Sequence, residues 1–470
     1  MDQNGARSVS LPQPVSRDVL LGLDVGTTTC KAMVMDPDGR CRGLGQVATP
    51  WRTTATGAEA PARRILAAVV EAASSAIAEA ESGGDGPVHV AGIGVTGLAE
   101  AGVPLGADAE PLAPVFAWYD ERGAELVGDL ERDIGVRTFA AVTGLKLSGR
   151  PSIIKYRWMV REEDMGGRGV RWLSVPEWVA YELGGAQVTE PSLAGRTGFF
   201  DVLGGSPAPE LLDWAKAPDH LFADIAIAGE ATGRVTPARA RDLGVPALAG
   251  AVTTVCGHDH LVAGIGVGAT RSSDLLDSCG TSEAMVRILD RRIPREQVED
   301  AVMRGISVGR HVGGDRLQVM TGLRSGIGLW RFLKLMGRDT TDLTELDHQA
   351  LSVRPRSDGP AVEGIWTERA VLTNIGYEPS AAEIWRAAIE AVQRRAVEVK
   401  EMLETVAGPT GRIVATGGGL RSVAVQVLKR EILGAYVMPD VQEAGARGAA
   451  VFAAVAAGVA KRVEDLAPSG

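Results

Sequence analysis

Two stretches of this chain, far apart in sequence, repeat one plan. Residues 20–36 (LLGLDVGTTTCKAMVMD) and 274–290 (DLLDSCGTSEAMVRILD) each run apolar strand, glycine–threonine turn, apolar strand, acid. A glycine in such a turn lets backbone N–H groups approach an anion closely, and the hydroxyls beside it add donors. One hairpin of this kind is ordinary turn chemistry. A pair, one near the start of each half, predicts a duplicated domain that grips a polyphosphate from both sides. The candidate donors are Gly26, Thr27 and Thr28 in the first turn and Gly280, Thr281 and Ser282 in the second.

At 470 residues the chain is long enough for two domains, each with its own core. Hydrophobic residues at 45% and charged residues at 23% fit a soluble globular class. A net charge of -10 argues against a nucleic-acid or anionic-membrane partner, and no apolar run reaches the roughly 18 residues of a membrane span. Residues 1–16, with Pro12 and Pro14 and no apolar core, read as a disordered lead rather than a signal peptide. Cys30, Cys41, Cys256 and Cys279 have no CxxC or metal-ligand spacing, so reduced thiols in a cytoplasmic enzyme are expected.

Along the chain, helical spacing over 61–81 leads through a Gly/Pro break to a strand over 88–96, and this alternation predicts an α/β fold. Trp118, Trp158, Trp172 and Trp178 crowd residues 112–200, as a core or as a pocket wall. The Pro- and Gly-rich residues 228–251 read as the crossing between halves, and 252–256 as a new buried strand ending in Gly257-His258-Asp259-His260. Later, strand 413–416, the turn Gly417-Gly418-Gly419 and a helix over 423–433 would present backbone donors and a helix N-terminus to a ligand. The small-residue helix over 443–457 suits close packing on a sheet.

Two acids carry chemistry. Asp259 follows a buried strand at the end where α/β folds place ligands, and reads equally as a general base or as a helix N-cap. Asp24 interrupts an apolar strand, where a charge is costly unless paired or bound to metal; Mg²⁺ is the natural partner, with a turn-forming aspartate as the alternative. The His258-Asp259-His260 triplet invites a metal, but neighbours on a strand point to opposite faces, so the three are not expected to gather on one ion.

The order of these motifs over 19–458 resembles the FGGY family of carbohydrate kinases, built on the actin/hexokinase/Hsp70-type ATPase fold. Residues 95–100 with 114–122 resemble the family's sugar-binding segment. Residues 152–159 are similar to a signature, 256–260 to the strand that delivers the catalytic aspartate, 279–282 to the second phosphate motif and 416–419 to the adenosine motif. The chain departs from the pattern at Arg150, Asn374, Ala99-Glu100 and the histidines flanking Asp259.

The resemblance implies two actin-like (ribonuclease H-like) domains around an active-site cleft. Residues 17–249 would bind sugar and carry the first phosphate motif; 250–470 would carry the catalytic aspartate with the second phosphate and adenosine motifs. It implies ATP-dependent phosphorylation of a sugar or polyol, foremost a pentulose or related ketose, with Asp259 as base, Asp24 at Mg²⁺ and Gly417, Gly418 and Gly419 at adenosine. Ala99, Glu100, Trp118 as an apolar wall, Asp120, Arg122, Asp259 and His260 form the implied sugar set. The resemblance also allows a homodimer. A non-catalytic actin-like ATPase or a regulatory sugar-binding relative would share the hairpins, but would not need Asp259 or the 96–122 segment.

Overall fold

The computed structural model describes residues 17–83, 86–163, 165, 171–280, 283–314, 316–354, 356–466 and 468. The lead read over 1–16, and Thr281 and Ser282 of the second turn, lie outside them.

Both glycine–threonine segments form antiparallel hairpins, each built into its own sheet. The first sheet runs, in spatial order, Gly233–Arg234, Val252–His258, Val88–Gly97, Arg17–Val25, Thr29–Met35, Cys41–Ala48. Within it Arg17–Val25 pairs antiparallel with Thr29–Met35 and parallel with Val88–Gly97. The second sheet runs Ser307–Arg310, Leu317–Leu323, Glu283–Leu289, Asp274–Ser278, Arg412–Thr416. Here too the first hairpin strand is antiparallel to its partner and parallel to a later strand, Arg412–Thr416. A parallel neighbour needs a crossover, and a helix supplies it each time: Ala62–Ser82 in the first half, Ala381–Ala407 in the second. Repeated topology, rather than repeated residues, is the substance of the duplication.

One expectation is corrected. The strand Val252–His258 does not open the second half; it is buried along its length and pairs parallel with Val88–Gly97 in the first sheet. The divide read at 249/250 therefore cuts that sheet. A strand buried along its length is covered by neighbours, and here Gly233–Arg234 lies on one side and Val88–Gly97 on the other.

The two sheets meet through a pair of helices. Asp259–Gly266 and Ala444–Ala456 share one buried cluster with Leu20 and Met35 of the first sheet and Leu276, Val286 and Val414 of the second. The small residues expected near the C-terminus explain the fit. A side chain at Gly22 would collide with the backbone of Ala446, one at Gly94 with that of Ala449, and one at Gly448 with that of Val262. Residues 113–222 add an aromatic cluster around Phe139, Tyr156, Trp172 and Phe199. Here Trp172 and Trp178 are core rather than pocket wall. No helix among the described residues is long and apolar enough to cross a membrane.

Candidate active site

Asp24, Thr96 and Gly257 are register neighbours near the C-terminal ends of three adjacent parallel strands. The Thr96 hydroxyl donates to the Gly257 carbonyl at 2.6 Å. Gly257 has φ 105, and a Cβ there would press into Ser192 Oγ and Glu190 Oε2, so the strand can turn at this point only with glycine. The turn delivers Asp259 as the first residue of helix Asp259–Gly266; the cap position belongs to His258, which makes no side-chain cap bond. The N-cap alternative for Asp259 is thereby removed.

Asp259 Oδ1 accepts the His260 backbone N–H at 2.7 Å and lies 3.3 Å from His258 Nε2. Burial raises the proton affinity of Asp259, His260 opposes that, and the carboxylate of Glu100 adds to it. Burial, then the charge of Asp259, pushes Asp24 up to about 7, against the pull of Lys31. His258 is held neutral by burial and by the charges of His260 and Arg196. Because the chain passes from strand to helix at Asp259, the three ligand atoms of His258, Asp259 and His260 do come within 4.8 Å of one another. The opposite-faces argument fails here because only His258 is on the strand.

Behind this turn lies a buried acid network that sequence reasoning missed. Glu190 Oε2 accepts Ser192 N–H at 2.8 Å, the Ser192 hydroxyl at 2.6 Å and Leu193 N–H at 3.0 Å, while Ser192 Oγ receives the His258 N–H at 3.0 Å. Glu177 accepts the Glu190 N–H at 2.7 Å. Burial pushes Glu190 up to about 7 and Glu177 up to about 8. The Glu-Pro-Ser run at 190–192, an acidic cap before a proline, was the available signal.

The first glycine corner is braced from the acceptor side. Trp118 Nε1 donates to Thr27 Oγ1 at 3.0 Å and Trp51 Nε1 to the Thr27 carbonyl at 2.6 Å; Thr28 is exposed. Trp118, expected as an apolar wall, thus also ties the two segments together. Lys31, opposite Asp24 in register, pairs with Glu443 at 2.5 Å. In the second corner Cys279 N–H donates to the Thr416 carbonyl at 2.7 Å and Gly419 N–H to the Cys279 carbonyl at 2.8 Å. A side chain at Gly417 (φ 107) would strike Cys279. Cys279, just before Gly280, is therefore packed against the turn at Gly417 and Gly419.

The remaining expected residues divide in two. Glu100 stands beside Asp259 electrostatically, in a left-handed conformation (φ 65), ion-paired with Arg196; Ala99 is buried next to it and His260 is half-buried. Asp120 and Arg122, expected to hold hydroxyls, are instead closed on one another. Arg122 donates to both Asp120 oxygens at 2.9 and 3.0 Å and to Glu59 at 2.7 Å, and lies 3.7 Å above the Phe116 ring. Asn374, noted as a departure, sits at φ 59, where asparagine is the usual substitute for glycine.

Residues 19–266 match the family model described as the N-terminal domain of the FGGY family of carbohydrate kinases, and 351–457 match its C-terminal domain. The chain belongs to the FGGY family. A xylulose kinase of Streptomyces coelicolor is 26% identical over 93% of this chain and 87% of its own length. A glycerol kinase of Paraburkholderia xenovorans is 26% identical over 95% and 91%. Among solved structures, a gluconate kinase from Lactobacillus acidophilus superposes with a TM-score of 0.82 at 20% identity, over 96% of this chain and 92% of that one. This FGGY protein is accordingly a sugar or polyol kinase with ATP as phosphoryl donor, built on two actin-like domains.

Proposed function

We propose that the protein transfers the terminal phosphoryl group of ATP to a hydroxyl of a pentulose or related ketose, with Asp259 as general base. The observation that carries this reading is the placement of the Asp259 carboxylate at the edge of three parallel strands, beside Asp24 and Glu100. A carboxylate whose proton affinity is raised above the ordinary range accepts a proton more readily at neutral pH, which suits a base. The acceptor oxygen attacks the γ-phosphorus, its proton passes to Asp259, and the bond to the β–γ bridging oxygen breaks with its electrons leaving on ADP.

Asp24 Oδ1 is buried and without a hydrogen-bond partner among the described residues. That fits Mg²⁺, which takes one or two carboxylates along with phosphate oxygens. When bound, the ion neutralises phosphate charge and lowers the proton affinity of Asp24. Gly26, Thr27 and Thr28 would donate to the phosphates on one side and Gly280, Thr281 and Ser282 on the other, with Gly417, Gly418 and Gly419 at adenosine. Ala99, Glu100, Trp118 and His260 would face the acceptor, and the Asp120–Arg122 clamp would hold their segment in place.

The xylulose and glycerol kinase relatives supply the first candidate acceptors. A coupled ADP-release screen of ketoses, aldoses and polyols with MgATP tests the reading: turnover is expected to depend on acceptor and to favour a ketose. ADP release indifferent to every acceptor would reject it.

A further inference from the structure

We infer that Arg196 is the residue that selects the acceptor, and that with Glu100 it recognises an uncharged acceptor carrying two adjacent oxygens, a vicinal diol or an α-hydroxyketone, in preference to a sugar acid. The inference rests on the kinase reading above and specifies its substrate class.

The Arg196 side chain is only 15% exposed. Its Nη2 is paired with Glu100, yet Nε and Nη1 are buried with no hydrogen-bond partner among the described residues. Arg287 shows what a purely structural buried arginine looks like here: its three nitrogens donate to the Ser272, Ala407, Gly408 and Pro409 carbonyls and to Thr410 Oγ1. Burying N–H donors of a charged group without acceptors is unfavourable, so their retention points to an absent partner. Glu100 adds a second sign of function. It holds φ 65 without glycine's freedom, and such backbone strain gathers at binding sites.

The pair stands at the reacting centre. The charge of Glu100 acts on Asp259, and that of Arg196 acts on His258, the residue before it. Arginine only donates and a carboxylate only accepts, whereas a hydroxyl does both. Adjacent hydroxyls, or a hydroxyl beside a carbonyl, therefore match donor and acceptor side by side. A carboxylate ligand does not. Arg196 is already neutralised by Glu100, and the neighbouring cations are committed: Lys31 to Glu443, Arg122 to Asp120 and Glu59, Lys155 to the Trp118, Gly149 and Arg150 carbonyls, with Arg150 lying over the Trp118 ring. A sugar acid would bring a further negative charge toward Asp259 and Asp24.

The test uses the full chain with D-xylulose, glycerol and D-gluconate as acceptors, comparing wild type with Arg196→Met and Arg196→Lys. Arg196→Lys keeps a cation for Glu100 and so guards against misfolding, but lacks the extra donors. Both variants are expected to raise the KM of the preferred neutral acceptor about tenfold or more, the worth of hydrogen bonds to a charged group, with the KM for MgATP unmoved. An unchanged acceptor KM or an equal rise in both KM values would overturn the inference while leaving the kinase reading standing; a wild-type preference for gluconate over the neutral acceptors would overturn it together with the ketose assignment, leaving only phosphoryl transfer. A wild type that phosphorylates no acceptor overturns both.

Discussion

The two glycine corners share a fold but treat their buried acids in opposite ways. In the first, Asp24 keeps an unpartnered oxygen, and burial together with Asp259 pushes it up to about 7. In the second, Asp277 is closed off: Lys429 Nζ lies 2.5 Å from Asp277 Oδ2 and 3.1 Å from Glu283 Oε1, and Cys279 Sγ is 3.4 Å from Asp277 Oδ1. Asp277, Cys279 and Glu283 have ligand atoms close enough to hold a metal, but the ammonium of Lys429 fills that role. Burial and Glu283 push Asp277 up to about 7, while Lys429 and the hydrogen bond with Asp277 keep Glu283 ionised against its burial. Two buried acids facing one buried ammonium leave the second corner compensated largely from within. Duplicated architecture thus yields one corner open to a cation and one with its cation built in, on the helix Val423–Ile432 that follows the Gly417 turn.

The sharpest way to break this contrast is to remove the built-in cation. Lys429→Met leaves buried acids uncompensated and is expected to cost about 3–5 kcal/mol of stability, read by urea unfolding. Adding Asp277→Asn and Glu283→Gln to it should recover much of the loss; no recovery would show that the charges are not the cause. The open corner should respond differently. Asp24→Asn is expected to leave stability near wild type and to raise the Mg²⁺ concentration for half-maximal rate by roughly 10–100-fold, measured by titrating Mg²⁺ at saturating ATP.

A smaller effect follows from pH. Asp24 and Asp259 both bind protons more tightly than ordinary carboxylates, so kcat/KM at limiting Mg²⁺ should fall as pH drops below about 7. Raising Mg²⁺ should move that limb to lower pH, because the ion competes with the proton on Asp24; a limb indifferent to Mg²⁺ would contradict the open-corner account. The smallest effect concerns Glu190, whose folded proton affinity is raised by burial to about 7. The folded chain then holds a proton that the unfolded chain releases, so this group's stabilising contribution fades as pH rises through about 7. Glu190→Gln should flatten the fall in melting temperature between about pH 4.5 and 7, the window set by the ordinary and raised values.

Much of this was legible in the sequence, and the parts that were not share a cause. Both hairpins, the Ala62–Ser82 helix, the Gly417 turn and the small-residue helix against the first sheet announce themselves through local pattern. The placement of Val252–His258 does not, because strand order depends on which sheet has an edge to offer. Lys31, Arg196, Glu190 and Lys429 were missed for a similar reason. Each is a single polar residue in an unremarkable stretch, given meaning by a partner distant in sequence: Glu443, Glu100, the strand end at Gly257, and Asp277. Asp120 and Arg122 show the converse, two charges only two residues apart that satisfy each other.

The central claim is that Asp259 takes the proton from the acceptor alcohol. Rapid-quench measurement of a single phosphoryl transfer by Asp259→Asn, alongside calorimetry of MgATP binding, addresses it most directly. The account predicts a transfer rate lower by roughly 10²–10⁴-fold with nucleotide affinity retained. Transfer at the wild-type rate would contradict it.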